Sequence, residues 1–326
     1  MLEHGGNLRD AARLYGRDDW VDLSTGINPH AYPVPALPPD AWHRLPEPDP
    51  ALLAAACAYY GAPVVLPVAG TQAAIQALPR LRAPSRVTVS SPSYAEHAHA
   101  WNKHGHTLHL AAYDELAFAV DDSDVVVVVN PNNPTGATVR PEHLLDWAAR
   151  LGARGGWLVV DEAFGDTDPE LSVAAHAGRP GLVVLRSVGK FFGLAGLRLG
   201  FVGADAATLA ALADLLGPWA VSGPAQTVAL QALRDTDWQR STFDRLQASG
   251  LRMRGLLETR GIQASGTPLF HWWPEARPEP FHAHMARHGI WCRLFREAGR
   301  GIRIGLPPDE AAWQRLENAL QEWSNR

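Results

Sequence analysis

The sequence of 326 residues contains only two cysteines, and its apolar runs are short. Cys57 and Cys292 form no CxxC pair, which excludes a disulfide framework and a thiolate zinc site. Apolar runs such as 125–129 are far shorter than the roughly 18 residues that span a bilayer. The first ten residues carry charges of both signs and no apolar core of a secretory signal. We therefore expect no membrane span and a location in the cytoplasm.

Positive charge, and lysine above all, is also scarce. Lysine and arginine number 29 against 34 acidic residues, a formal net charge of −5, so no basic surplus is present to follow a nucleic-acid backbone. Only two of the basic residues are lysines, Lys103 and Lys190. A lysine amine can lose its proton and attack a carbonyl, whereas arginine stays protonated. Each lysine is therefore a candidate for chemistry that arginine cannot perform.

Short apolar segments alternate with helical patterns between about residues 64 and 204. Continuous hydrophobic strands separated by helices are typical of a largely parallel sheet covered on both faces, which binds ligands at the carboxyl ends of its strands. The predicted fold class is therefore α/β with seven strands. The strands are predicted at 64–68, 86–90, 106–110, 125–130, 157–161, 182–187 and 199–203, and the helices at 72–81, 95–104, 141–153 and 206–215.

The pattern changes after Trp219. A helical stretch at 225–260 precedes three strand candidates, 269–273, 290–295 and 301–305, and a closing helix at 309–323. This order predicts a smaller α+β unit. A short helix is predicted at 8–15, and the proline-rich stretch 29–50 indicates an extended surface passage. We expect an N-terminal arm at 1–25, a large domain at 26–218 and a small domain at 219–326.

Lys190 ends the motif S-V-G-K directly after a buried strand. The hydroxyl of Ser187, the amine of Lys190 and the guanidinium of Arg198 could together hold a phosphate and present a nucleophilic nitrogen. The alternative is a solvated loop lysine beside a capping serine. Asp161 closes another apolar run, and a carboxylate there requires a cationic partner, such as a protonated pyridine nitrogen, a magnesium ion or an arginine. It could also simply cap the next segment.

Three further motifs follow predicted strands. Asn133 lies in the rigid turn N-P-N-N-P-T-G, where its amide can donate to an acceptor above the sheet edge. Gly70, Thr71 and Gln72 open a helix whose free N–H groups favour an anion, although any strand-to-helix turn could look alike. Tyr94 follows the strand at 86–90, and its ring could stack on a flat heterocycle or pack in the core.

These motifs, in this order along the chain, resemble those of the fold-type I pyridoxal-phosphate enzymes of the aminotransferase class. The resemblance implies the fold-type I transferase fold, pyridoxal 5'-phosphate as cofactor and a homodimer in which the arm packs on the small domain or the partner subunit. It also implies that Lys190 forms a Schiff base with the cofactor, that Asp161 pairs with the pyridine nitrogen and that Asn133 contacts the ring hydroxyl. Tyr94 would stack on the ring, and the phosphate would be held by Gly70, Thr71, Gln72, Ser187 and Arg198.

The N-terminal motif H-G-G-N at 4–7, and S-T-G-I-N-P at 24–29, resemble the threonine-phosphate decarboxylase family. That resemblance implies decarboxylation of L-threonine O-3-phosphate to (R)-1-aminopropan-2-ol phosphate and CO2 in cobalamin biosynthesis. Arginines match carboxylate and phosphate by paired hydrogen bonds, and binding of the remote phosphate can orient the bond that breaks. The substrate residues implied are His4, Gly26, Asn28, Arg293 and Arg303.

Three positions depart from the pattern of these families. Phe164 and Leu45 stand where relatives often have tyrosines, one reaching the cofactor oxygen and the other reaching the partner subunit's site. Gly26 stands where relatives often have asparagine. The first departure removes one hydrogen bond, and the other two remove a contact to the neighbouring cofactor and one to the substrate.

Two other functions stay open. A histidinol-phosphate aminotransferase would share the cofactor residues but transfer the amino group, and a non-catalytic cofactor-binding regulator would turn over no substrate. The histidine-rich segment 281–288 places His284 and His288 one helical turn apart, but no HExxH glutamate accompanies them. We expect a solvated helix face there and no metal site.

Overall fold

The computed structural model describes residues 4–324. The helices are α1 Leu8–Tyr15, α2 Asp40–His43, α3 Pro50–Tyr60, α4 Thr71–Ala77, α5 Ala95–Lys103, α6 Leu116–Ala119, α7 Pro141–Gly152, α8 Ala206–Leu216, α9 Gly223–Arg234, α10 Thr236–Glu258, α11 Pro278–Arg287 and α12 Glu310–Ser324. Short 3-10 helices span Leu78–Leu81, Gly165–Thr167, Pro169–Leu171, Ala174–His176 and Ala195–Leu197.

The strands are β1 Val21–Asp22, β2 Leu66–Val68, β3 Arg86–Ser90, β4 Thr107–Ala111, β5 Val125–Val129, β6 Trp157–Asp161, β7 Leu182–Ser187, β8 Gly200–Gly203, β9 Ser265–Thr267, β10 Phe270–Trp273, β11 Ile290–Trp291, β12 Arg293–Phe295 and β13 Gly301–Gly305. Seven of them form a sheet in the order β2-β8-β7-β6-β5-β3-β4. Its pairs are parallel except those that β8 makes with β2 and β7. The predicted seven-stranded, mostly parallel sheet is confirmed.

Strand β5 shows why this sheet is covered on both faces. Side chains alternate across a strand, and all five valines of β5 are buried. Val126 and Val128 pack in one apolar core with residues of α7, while Val125 and Val127 pack in a second core with residues of α4. A strand buried on both faces reads as a continuous hydrophobic run, which is the pattern that the sequence shows.

The register of the strands brings their carboxyl ends to one edge. Val129 of β5 pairs with Asp161, and Asp161 pairs with Leu185 two residues before the end of β7. At the antiparallel end of the sheet, Gly200 pairs with both Ser187 and Val68. The segments that follow β2, β5, β6 and β7, and the one that precedes β8, therefore meet at a single edge.

A four-stranded antiparallel sheet, β12-β13-β10-β9, and the parallel pair β1-β11 form the smaller α+β unit. Helix α1 of the arm contacts α11 of this unit. The predicted helix at 225–260 is instead two helices, because Asp235 interrupts it between α9 and α10. The side chain of Asp235 caps α10 by accepting the N–H of Trp238 at 3.0 Å. The predicted strand at 290–295 divides at Cys292 into β11 and β12. Between residues 4 and 324, no helix is both long and apolar enough to cross a membrane.

Two other sequence expectations were wrong. The passage 29–50, predicted to be extended, contains α2, and α3 begins at its final residue, Pro50, with Asp49 capping the helix. His284 is not on a solvated face: its side chain is buried and its Nε2 lies 2.8 Å from the carbonyl oxygen of Ala319. Histidine forms such bonds inside a core because both ring nitrogens can hydrogen-bond.

Candidate active site

Lys190 lies at the carboxyl edge of the large sheet, three residues beyond β7. The pKa of its amine is lowered to about 8, mainly by burial and also by Arg303 and Arg198, while Asp161 opposes the change. Its Nζ is 5.2 Å from the centre of the Phe164 ring. A lysine with this pKa has a substantial neutral fraction near physiological pH, so it can act as a nucleophile.

Gly70, Ser187 and Arg198, which were predicted to hold a phosphate, lie together at the same edge. A Cβ on Gly70 would lie 2.7 Å from Nη2 of Arg198, so the guanidinium occupies the space of the missing side chain. Gly70 has a φ of 72° and Arg198 a φ of 54°. Arginine rarely adopts this left-handed conformation, and strain of this kind is concentrated at functional sites. The Ser187 Oγ accepts the N–H of Gly189 at 3.1 Å, which ties the loop leading to Lys190 to the end of β7.

Asp161 is buried at the end of β6 and has a histidine partner. His97 Nε2 lies 2.8 Å from Oδ2 of Asp161, and the N–H of Ala163 donates to Oδ1 at 3.0 Å. Both side chains of the pair are almost completely buried. These two contacts hold both oxygens of the carboxyl group, so its position at the end of β6 is fixed.

Tyr94 lies beside this pair, at the start of α5. Its ring centre is 6.2 Å from that of His97 and 6.2 Å from that of His4, and its hydroxyl donates to Oε1 of Gln72 at 3.2 Å. Burial raises the pKa of Tyr94 to about 12, with Glu96 and Asp161 acting in the same direction. The ring therefore stays neutral and oriented, as a stacking surface requires.

Asn133 and the two predicted substrate arginines meet across the two units. Arg293 of β12 pairs in register with Arg303 of β13, and opposed residues of an antiparallel pair share one face of the sheet. The Arg303 Nη1 donates to Oδ1 of Asn133, and its Nη2 donates to the carbonyl of Ser24 at 2.6 Å. Burial and Arg293 lower the pKa of Arg303, and Asp22 opposes them. A buried cation beside a second, partly buried one favours a bound anion.

The Nε of Arg303 is buried and has no hydrogen-bond partner within residues 4–324. A buried donor left without a partner is costly, and a bound carboxylate or phosphate would satisfy it. The bond from Arg303 also fixes the Asn133 side chain so that its amide nitrogen is the group left to donate.

Gly26 lies between the aromatic rings of Phe164 and Phe270. A Cβ on Gly26 would be 2.9 Å from the Phe270 ring and 3.0 Å from the Phe164 ring, which themselves pack edge to face at 4.9 Å. An asparagine would not fit here without movement of a ring. The packing of these two rings therefore requires a residue without a side chain at position 26.

Asn28 is buried, and its side chain is used within the protein. Its Nδ2 donates to the carbonyl of Phe191 at 2.8 Å, and its Oδ1 accepts the N–H of His30 at 2.9 Å. Its own N–H donates to the carbonyl of Lys190 at 3.0 Å. These bonds tie Asn28 to the loop that carries Lys190, so the side chain of Asn28 is engaged within the protein.

His4 lies close to Tyr94 and to the carboxylate of Glu96. Its Nε2 is 2.8 Å from Oε1 of Glu96, two residues after Tyr94. Leu45 lies apart from these side chains on the surface and is 64% exposed.

Several residues of the site were missed from the sequence, chiefly His97, Glu96 and Ser24. His97 could have been found, because α5 begins directly after Tyr94 and residues three apart share a helix face. Glu96 and Ser24 act on residues far away in the sequence, and no local pattern marks them.

Comparison with known proteins shows the family to which the chain belongs. The aminotransferase class I and II family model matches residues 18–311. The chain is 54% identical to the threonine-phosphate decarboxylase of Pseudomonas aeruginosa over 98% of its own length and 97% of that protein's. It is 46% identical to the threonine-phosphate decarboxylase of a Sinorhizobium species, again over 98% and 97% of the two chains.

The crystal structure of histidinol-phosphate aminotransferase from Sinorhizobium meliloti, in complex with pyridoxal-5'-phosphate, superposes with a TM-score of 0.83. The match covers 99% of this chain and 95% of that one at 22% identity. This similarity confirms the predicted fold-type I architecture. With the family model spanning most of its length, the chain belongs to the aminotransferase class I and II family.

Proposed function

We propose that the protein is a pyridoxal-phosphate-dependent decarboxylase of L-threonine O-3-phosphate. The observation that carries this proposal in the structure is the pair Arg293 and Arg303, in register on adjacent strands, with Arg303 bonded to the site residue Asn133. This arrangement suits a substrate with two anionic groups. The two threonine-phosphate decarboxylases, at 54% and 46% identity over nearly the full chain, support the same substrate.

The residues of the sheet edge fit pyridoxal phosphate. Lys190 supplies an amine of lowered pKa for the aldehyde, and Asp161 supplies a fixed carboxylate for the ring nitrogen. Tyr94 offers its ring for stacking, and Asn133 offers an amide donor for the ring hydroxyl. The phosphate would be held by Arg198, Ser187, Gly70, Thr71 and Gln72, where Arg198 fills the space that a side chain on Gly70 would need.

In the proposed reaction the bond between Cα and the carboxylate carbon breaks, CO2 leaves, and a proton takes its place on Cα. Bound pyridoxal phosphate supplies the electron sink for the pair left on carbon. The protein chooses which bond breaks by orienting the substrate. Arg303 and Arg293 hold its anionic groups, and His4 adds a donor from the arm. Lys190, whose amine exchanges protons near pH 8, is suited to return the proton.

Two parallel assays test the function. Holoenzyme with L-threonine O-3-phosphate should release CO2 and form 1-aminopropan-2-ol phosphate. The same holoenzyme with histidinol phosphate and 2-oxoglutarate should form no glutamate. Glutamate without CO2 would instead identify a histidinol-phosphate aminotransferase. Cofactor uptake with turnover of neither compound would identify a non-catalytic cofactor-binding protein.

The proposal extends to the oligomeric state of the protein and to its location in the cell. A homodimer is supported by large apolar side chains exposed on and near α2, among them Trp42 and Leu45, and by exposed Trp219. Where exposed apolar side chains form a patch, the patch marks an interaction surface. Light scattering of the purified protein measures this directly, and a monomer would contradict it. The proposed setting is the cytoplasm, in the branch of cobalamin biosynthesis that supplies the aminopropanol phosphate.

A further inference from the structure

The N-terminal arm is attached on one side to the strand β1 region by Ser24, whose side chain is buried. The N–H of Gly6 donates to Oγ of Ser24 at 2.7 Å, and a Cβ on Gly5 would collide with the Ser24 carbonyl oxygen. That same carbonyl accepts the Nη2 of Arg303 at 2.6 Å. The arm and a substrate arginine therefore share one anchor.

On its other side the arm contacts the large domain through Glu96. One carboxylate oxygen of Glu96 lies 2.8 Å from Nε2 of His4, and the other accepts the amides of Gln72 at 2.7 Å and Gln76 at 3.2 Å. The Glu96 side chain is 13% exposed, whereas that of His4 is 47% exposed. A nearly buried carboxylate with three donors is a fixed acceptor, and the half-exposed histidine is the group that it positions.

From these contacts we propose that Glu96 is the positioning residue that holds His4 over the site for the phosphorylated substrate. This inference rests on the proposed function, since it concerns how that substrate is held. Glu96 accepts at Nε2, so Nε2 carries a hydrogen and Nδ1 is the nitrogen left for the ligand. The His4 ring then lies between the Glu96 carboxylate and the substrate phosphate, with Nδ1 on the side of the phosphate.

The same carboxylate links substrate binding to cofactor binding. Gln72, which donates to Glu96, also accepts the hydroxyl of Tyr94, and the His4 and Tyr94 rings are 6.2 Å apart. A continuous path of hydrogen bonds thus runs from the arm to the ring that faces the cofactor site. Glu96 joins the two ends of this path, because it pairs with His4 and accepts from Gln72 and Gln76 of helix α4.

The test compares E96Q, H4A and the double variant as holoenzymes. A glutamine has one acceptor oxygen and cannot serve His4, Gln72 and Gln76 together, so we expect the KM for L-threonine O-3-phosphate to rise about tenfold, with kcat within about threefold of wild type. H4A should show the same rise. Because one residue acts through the other, the double variant should be no worse than H4A alone.

The controls separate this role from general damage. E142Q removes an exposed glutamate from α7, and H99A removes an exposed histidine from α5; both should keep the wild-type KM. Additive effects, near a hundredfold in the double variant, would overturn the proposal. So would a loss of cofactor affinity in E96Q as large as its rise in KM, since Glu96 would then act through Gln72 and Tyr94.

A failure of the positioning role of Glu96 can be distinguished from a failure of the proposed function. If wild-type holoenzyme releases no CO2 from L-threonine O-3-phosphate, the proposed function fails. The same set of variants is then compared by calorimetry, which measures the binding of L-threonine O-3-phosphate and of histidinol phosphate to each of them. Non-additivity between His4 and Glu96 with either phosphorylated compound would still support the positioning role, and additivity with both would overturn it.

Discussion

The cofactor edge of the large sheet and the substrate side of the site, formed by the arm and the small unit, are built in different ways. At the sheet edge, each functional residue lies within a few residues of a strand end, and the pairing of Ser187, Gly200 and Val68 brings these ends together. On the substrate side, Arg303 bonds to Ser24, 279 residues away in sequence. The first region follows from local topology, and the second depends on the docking of distant segments.

The largest expected effect is at the sheet edge, in K190A. Removal of the amine should abolish the visible absorbance of the lysine-linked cofactor and lower kcat by more than about a thousandfold, because no other lysine lies near the site. K103A, which removes the exposed lysine of α5, should retain both. Equal absorbance in the two variants would show that the cofactor is not bound at the sheet edge.

The variant R303M should weaken substrate binding without loss of the cofactor. The variant loses the charge that faces the substrate, so we expect the KM for L-threonine O-3-phosphate to rise by about 10- to 100-fold, the effect of about 1.5–3 kcal/mol from charge-assisted hydrogen bonds. The cofactor absorbance should persist. R300M, which removes an exposed arginine paired with Glu279, is the matched control and should leave the KM unchanged. Loss of cofactor in R303M would remove the distinction between the two regions.

A pH series sharpens the account of the sheet edge. With its pKa lowered from 10.5 to about 8, Lys190 in cofactor-free protein is mostly protonated at pH 7 and mostly neutral at pH 9. Only the neutral amine attacks the aldehyde, so the rate of cofactor incorporation should rise about tenfold over this range and then level off. Stopped-flow absorbance measures the rate. A midpoint near 10 would mean that burial does not lower the pKa.

The smallest effect is expected where the two regions touch. G26A places a Cβ against Phe164 of the large domain and Phe270 of the small sheet, which should lower the free energy of unfolding by about 1–3 kcal/mol. G255A adds the same methyl in open space on helix α10 and should raise stability by about 0.5–1 kcal/mol. Thermal unfolding of both variants provides the comparison. Equal stability would show that the junction is loosely packed.

The sequence could be interpreted well where position depends on near neighbours. The buried strands β3, β6, β7 and β13 have the predicted bounds, because their hydrophobic runs end at polar residues or glycine. The failures have local causes as well. Asp235 within 225–260 is a helix-capping residue, and its capping bond to Trp238 N–H divides that stretch into α9 and α10.

For the site, the motif residues Lys190, Asp161 and Asn133 were predicted, but the histidine partner of Asp161 was not. His97 was passed over although it lies one helical turn beyond Tyr94. Glu96 could not be recognised, because its role depends on His4 reaching it across 92 positions of chain. The bond that ties Asn28 to the loop of Lys190 is likewise a contact that no spacing encodes.

The sequence by itself determined the layered α/β fold, the reactive lysine and the strand-end motifs, because hydrophobic periodicity and turn chemistry act over a few residues. Only the tertiary structure decided that Arg293 and Arg303 lie in register, that Gly26 packs between two phenylalanine rings, and that His4 contacts Glu96. Those facts depend on how separate segments pack, and packing is settled by the shape and charge of the whole molecule.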